Sequence, residues 1–173
     1  MVAFIPGHPR YLIDSFCWTR FEISDVRSKQ GHQALVPATR GIMSGWPSVM
    51  IEVGYSEALE FLRLDAKWWL VNSAGKTRYV MIVQLMTDPF TIHIECWAMV
   101  ASEDGQKIQG SAHIPANVQL SDIDSEGTLA SASPDLRIPY PCIFDEPNEN
   151  APDAVFTGAE LSSFALWMFR LLR

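Results

Sequence analysis

The chain is poor in charge. Only 19% of its 173 residues are Asp, Glu, Lys or Arg, below the share of roughly a quarter usual in soluble domains. The charge that is there runs against a phosphate-binding surface. Thirteen Lys and Arg face 20 Asp and Glu, for a net charge of −7, whereas nucleic-acid binding draws on clustered cations. Only a local basic groove stays open. Cysteine is scarce: Cys17, Cys96 and Cys142 are odd in number, far apart and without a CxxC pair. That excludes a disulfide framework and points to reduced thiols in an intracellular protein, cytoplasmic or nuclear. No apolar run approaches the roughly 20 residues that span a bilayer. The opening MVAFIPGHPR lacks the basic flank and apolar stretch of a secretory signal. No GxxxxGK[ST], GxGxxG or GxSxG occurs, so phosphate-loop, dinucleotide and esterase chemistry find no support. No His or Cys pair has zinc spacing.

What is there is apolar. The 48% hydrophobic fraction and six Trp fit a packed core, and the length suits one domain over 1–173. Residues 1–10, with Pro6, Gly7 and Pro9, read as an irregular arm. Tyr11 to Ile23 fits either a short helix or an edge strand. Ser24 to Gly45 reads as loop with a brief strand near Ala34 to Val36. Val49 to Val53 predicts a central strand, apolar on both faces. Ser56 is placed to cap the helix that follows, with Glu57 near its positive end. Leu59, Leu62, Ala66 and Trp69 recur at helical spacing, joined by Ala58, Phe61 and Leu70, and Gly75 is a natural stop. Tyr79 to Met86, the turn Thr87-Asp88-Pro89 and the alternating Thr91 to Val100 predict a β-hairpin. Residues 101–152 are rich in Ser, Asp, Pro and Gly and read as loop, with hints of strand at Lys107-Ile108 and Val118 to Leu120. Thr157 and Glu160 form a capping box opening a last helix. Its apolar stripe is Leu161, Phe164, Ala165, Met168, Phe169 and Leu172.

One residue interrupts this pattern. Glu52 sits in the middle of an apolar strand, where a carboxylate is costly unless paired, hydrogen-bonded or bound to a cation. Two readings follow: a ligand for a hard divalent cation, or a structural acid paired with Lys67, Arg63 or a loop Arg. Asp65, beside Ala66 of the apolar helix face, is placed to turn toward the sheet, while helical geometry points Lys67 outward. Gln84 is a polar intruder in the next strand, its amide available to Glu52, to a ligand water or to plain core satisfaction. His32, in the polar loop SKQGHQALVP, reads as a metal ligand, a general base or a surface side chain.

At these residues the chain resembles a group of uncharacterised fungal proteins in the PD-(D/E)XK nuclease-like, or restriction-endonuclease-like, superfamily. The resemblance is carried by Trp46-Pro47-Ser48, Ile51-Glu52-Val53-Gly54-Tyr55-Ser56-Glu57, Leu64-Asp65-Ala66-Lys67-Trp68-Trp69-Leu70 and Tyr79 to Leu85. The C-terminal Thr157 to Leu161 and Phe169 to Arg173 echo it more weakly. Together these cover less than half the chain. The resemblance implies an α/β (α+β) fold, a single mixed sheet flanked by helices, with the strand acid at a Mg²⁺ or Mn²⁺ site. It also implies a Pro-Asp pair in the preceding loop and a Lys two residues after the acid. Gly31-His32 stands at the first position and Gly54 at the second, so His32 replaces the Asp and Lys67 is the nearest relocated Lys. The helix that usually precedes this core looks shortened.

The expected function is accordingly a degenerate member of that superfamily, a non-catalytic interaction module with a protein partner. The alternative is a Mg²⁺- or Mn²⁺-dependent nuclease acting on DNA or RNA. In that case Glu52 binds metal, His32 is a substitute ligand or base, and Lys67 or Gln84 positions water.

Overall fold

The computed structural model describes residues 13–17, 20–24, 27–41, 45–55, 58–87, 90–98, 119–124 and 135–171. They form a mixed α+β fold. Its frame is a six-stranded sheet in the order β1-β4-β5-β6-β7-β8. The strands are β1 (Ile13–Cys17), β4 (Gln33–Pro37), β5 (Val49–Tyr55), β6 (Tyr79–Thr87), β7 (Phe90–Ala98) and β8 (Gln119–Asp124). Only β5 and β6 run parallel, from Val49 opposite Tyr79 to Tyr55 opposite Leu85. A parallel neighbour cannot be reached by a tight turn, and helix α1 (Leu59–Asn72) provides the crossover. The other four pairings are antiparallel.

Side chains alternate along a strand, and here the alternation separates two cores. Met50, Val80, Ile82 and Trp97 pack against Leu62, Ala66, Trp69 and Leu70 of α1. On the opposite face Val49, Tyr79, Met81, Ile92, Ile94 and Cys96 meet α3 (Gly158–Leu171) through Leu161, Ala165 and Phe169. α1 ends where Ala74 and Gly75 turn to positive φ, 53° and 79°. The capping box forms as read: the Thr157 N–H donates to Glu160 Oε2 at 2.8 Å, and the Glu160 N–H to Thr157 Oγ1 at 3.3 Å.

The hairpin of β6 and β7 and the helix over 59–72 follow the sequence pattern. Other segments differ. The described residues of the Tyr11 to Ile23 segment are strand, β1 and then β2 (Arg20–Ser24). The supposed loop from Ser24 to Gly45 also holds β3 (Arg27–Gln30), which pairs with β2 in a two-stranded ribbon. Besides β8, residues 101–152 contribute β9 (Leu136–Ile138) and α2 (Tyr140–Ile143). β9 pairs with β10 (Ala154–Phe156) in a second ribbon, so the sheet is not single. These elements are short, and β3 (RSKQ) and β8 (QLSDID) are rich in polar residues. Their order comes from ladder bonds to a neighbour, which leave little trace in hydropathy. Phe61 does not join the buried face of α1; it and Leu64 are each 59% exposed. Ser56, Glu57, Thr87-Asp88-Pro89 as a complete turn, Lys107-Ile108, the 1–10 arm, Val100 and Leu172 lie wholly or partly outside the described residues. α1 starts with Ala58 at its N-cap and no side-chain cap bond. Among the described residues, no helix is long and apolar enough to cross a membrane.

Candidate functional site

Among the described residues, the face of the sheet beneath α1 carries two buried carboxylates, Glu52 at 1% and Glu95 at 0% exposure. They are aligned across the sheet, since Ile82 of β6 pairs with Glu52 on one side and Glu95 on the other. Carboxyl groups in such a position require hydrogen-bonding partners, and each has them.

Glu52 is met from two directions. α1 brings Trp69, whose indole N–H donates to Glu52 Oε1. The antiparallel register of β4 with β5, Gln33 opposite Ile51, brings His32 alongside. Its Nδ1 stands 2.6 Å from Glu52 Oε2 and 3.3 Å from the Val53 backbone nitrogen. One ring nitrogen cannot donate to the carboxylate and accept from the amide at once. The shorter contact selects the Nδ1–H tautomer, with the proton directed to Glu52. Gly31 makes the approach practicable: a Cβ there would sit 2.8 Å from Met50 Cε and 3.1 Å from Trp69 Cζ2. Trp46 and Trp68 pack on Trp69 with ring centroids 5.9 and 5.0 Å away.

Glu95 is held more strongly. Arg63 of α1 places Nη2 2.5 Å from Oε1 and Nε 3.1 Å from each carboxylate oxygen. His93 Nε2 is 3.0 Å from Oε1, and the Trp97 indole N–H donates to Oε2 at 2.9 Å. Burial alone would raise the Glu95 pKa, but the bonds from His93, Arg63 and Trp97 outweigh it and hold the carboxyl at about 2. The same contact raises the Arg63 guanidinium above its ordinary value. Both acids therefore use the same device, an indole N–H with an imidazole, and Glu95 adds a guanidinium.

The residues singled out in the sequence are brought together in part. Glu52 and His32 touch. Gln84 is buried on the same face, in register with Gly54 on one side and His93 on the other. Lys67 stays on α1 with Nζ 6.0 Å from the Trp97 ring centroid, a cation–π distance. It is half-buried rather than pointing freely outward. Asp65 forms an ion pair with Lys29 of β3. Arg63, one of the partners considered for Glu52, serves Glu95 instead. At position 54 a Cβ would lie 2.7 Å from Leu62 Cδ1 and 3.3 Å from Leu62 Cγ, so α1 rests directly on the backbone there. Glu95 itself escaped sequence reasoning, although IHIECWA shows the same sign as Glu52: one acid on an alternating apolar strand. Among the described residues, no three His, Cys, Asp or Glu side chains converge into a metal-holding group.

No family model, no curated protein and no solved structure matches the chain.

Proposed function

We propose that the chain is a degenerate relative of the PD-(D/E)XK nuclease-like core that has given up catalysis and serves as a protein-interaction module. The frame that supports the kinship is β4–β5–α1–β6: an antiparallel pair, then a parallel crossover, with an acid in the middle of the first parallel strand. The observation that carries the loss of catalysis is the state of Glu52. Both of its oxygens are engaged, by Trp69 and by His32, in a position 1% exposed.

The donor set does not fit Mg²⁺ or Mn²⁺, which take mainly oxygen ligands and keep several waters. One carboxylate and one imidazole, already bonded to each other, stand where a cation would need at least two acids and open space. Leu62 closes over the position at which the superfamily carries its Lys. A protein is the better partner than nucleic acid, given the net charge of −7 and the apolar side chains that α1 leaves in solvent, Phe61, Leu64 and Val71.

The contact of Glu52 with His32 favours a second reading, the Mg²⁺- or Mn²⁺-dependent nuclease, in which that pair would be ligands. Calorimetry with Mn²⁺ on the wild type and on Glu52→Ala, followed by a cleavage assay on DNA and RNA in Mn²⁺, separates the two. The module reading expects neither binding nor cleavage by folded wild type. Mn²⁺ binding and cleavage that both vanish in Glu52→Ala would replace it with the nuclease.

A further inference from the structure

The described residues leave the sheet face opposite Glu52 incompletely covered. Ile51, Val53 and Val83 belong to the two central strands, β5 and β6, yet all three are only half-buried. Their neighbours on the α1 face, Met50, Glu52 and Ile82, are sealed. The difference is a cavity of about 640 Å³ between the sheet and α3. Ile51, Val83 and Ile94 form its floor, and Leu161, Phe164 and Met168 of α3 form its far wall. Packed interiors leave few voids larger than a water molecule. This one falls in the range of small-molecule pockets, about 300–1,000 Å³, which are mostly apolar with a few placed polar groups.

The polar groups here are few and their charge is informative. At one end Ser15 and Gln33 line the cavity, with the Gln33 amide donating to the Ser15 hydroxyl oxygen. Both are neutral. Glu160 is the one ionisable side chain among the described lining residues. Its carboxylate is exposed and accepts from the N–H and hydroxyl of Thr157 at 2.8 and 2.9 Å. No Lys or Arg among those residues is available to pair with a carboxylate or phosphate.

We propose that this cavity binds an uncharged lipophile carrying a single hydroxyl or carbonyl head, with the apolar body over β5–β7 and the head at Ser15 and Gln33. An anionic lipid of the same length is disfavoured twice: it finds no cation among the described lining residues, and it meets Glu160. The site is on the other face of the sheet from Glu52, so the inference stands apart from the loss of metal chemistry.

The experiment is a fluorescence titration of the full chain with N-phenyl-1-naphthylamine, a neutral apolar probe, displaced by 1-dodecanol or by dodecanoate. Saturable, blue-shifted emission is expected, with dodecanol displacing the probe at a concentration at least about tenfold lower than dodecanoate. Val83→Trp, which fills the floor, should weaken probe binding at least about tenfold while circular dichroism and thermal midpoint are retained. Met168→Trp, on the less buried α3 wall, does the same should Val83→Trp not fold. Phe61→Ser, on the outside of α1, leaves binding unchanged. The proposal is overturned by absence of saturable binding to folded wild type, as when another part of the chain fills the space. Unaltered binding in the filled variants that fold, or equal displacement by dodecanoate and dodecanol, overturns it as well.

Discussion

Trp69 and Glu52 are 17 residues apart and meet across the interface of α1 with the sheet, indole N–H on carboxylate oxygen. Trp97, two residues along β7 from Glu95, gives that acid the same kind of donor at 2.9 Å. An indole supplies a hydrogen bond and a large apolar body at once. It can therefore neutralise the polarity of a buried acid while filling the core around it. The two acids anchor α1 to the sheet at both sides of Ile82.

Trp69→Phe tests the first anchor. The six-membered ring is kept, but Glu52 Oε1 loses its donor in a site closed to water and the lost pyrrole edge leaves a small void. An unsatisfied buried acceptor costs about 1–3 kcal/mol, and urea unfolding should show a loss of at least that size. Adding Glu52→Met to Trp69→Phe removes the stranded charge, so the double variant should recover part of the loss. An unchanged midpoint in Trp69→Phe would mean the contact contributes nothing to stability.

Arg63→Met tests the second. Removing one partner of a buried ion pair typically costs about 3–5 kcal/mol. Arg63 has a third of its side chain in solvent, and His93 and Trp97 remain on the carboxylate, so about 2–3 kcal/mol is expected. A larger loss than for Glu60→Gln, which removes only the exposed partner of Arg63, is the decisive comparison.

The same site sets an acid limit on stability. Glu95 is held at about 2 in the fold, below its ordinary value of 4.5. A lowered folded-state pKa contributes stability that is complete above the unfolded value and is lost as pH falls through the folded one. Wild type should thus weaken between about pH 4.5 and 2. Asp145, lowered by its bond with Arg40, and Glu160, lowered by the Thr157 backbone, act in the same direction. Glu95→Gln should be less stable at neutral pH and show a shallower acid slope than wild type. Parallel slopes in the two proteins would remove Glu95 from the account.

Much of this architecture is legible in the sequence, for reasons that can be named. β5, α1, β6 and β7 are long and periodic, and the Thr157–Glu160 box is local chemistry. Glu52 announces itself because a lone acid in VMIEVGY has no apolar explanation. Its partners do not. The His32 contact depends on the β4–β5 register, and the Trp69 contact on which side of α1 meets the sheet. Helical spacing puts Trp69 on the buried face but does not reveal that its N–H is aimed at an acid. Glu95 shares its side of β7 with the polar His93, the pattern of a solvated face, although Arg63 in fact covers it. The short ribbons β2–β3 and β9–β10 stay invisible because sequence-distant pairing, rather than hydropathy, creates them. The cavity under α3 is a matter of how far a helix stands from a sheet, and no pattern of residue types encodes that distance.

Position 54, where the proposed kinship would place a Lys, can be given one, and the outcome distinguishes a missing residue from a closed site. Gly54→Lys puts a Cβ 2.7 Å from Leu62 Cδ1, in a core where Leu62 is 1% exposed. Leu62 must move, and overpacking of this kind costs about 1–3 kcal/mol. The variant should melt earlier than wild type and show no Mn²⁺-dependent cleavage. Adding Leu62→Ala opens space for the new side chain, so the double variant should be less destabilised than the sum of the single changes. Glu52 remains bonded to Trp69 and His32 throughout, so cleavage should stay absent. Cleavage by Gly54→Lys alone would show that the site had lacked only its Lys, and that the carboxylate exchanges Trp69 for metal readily.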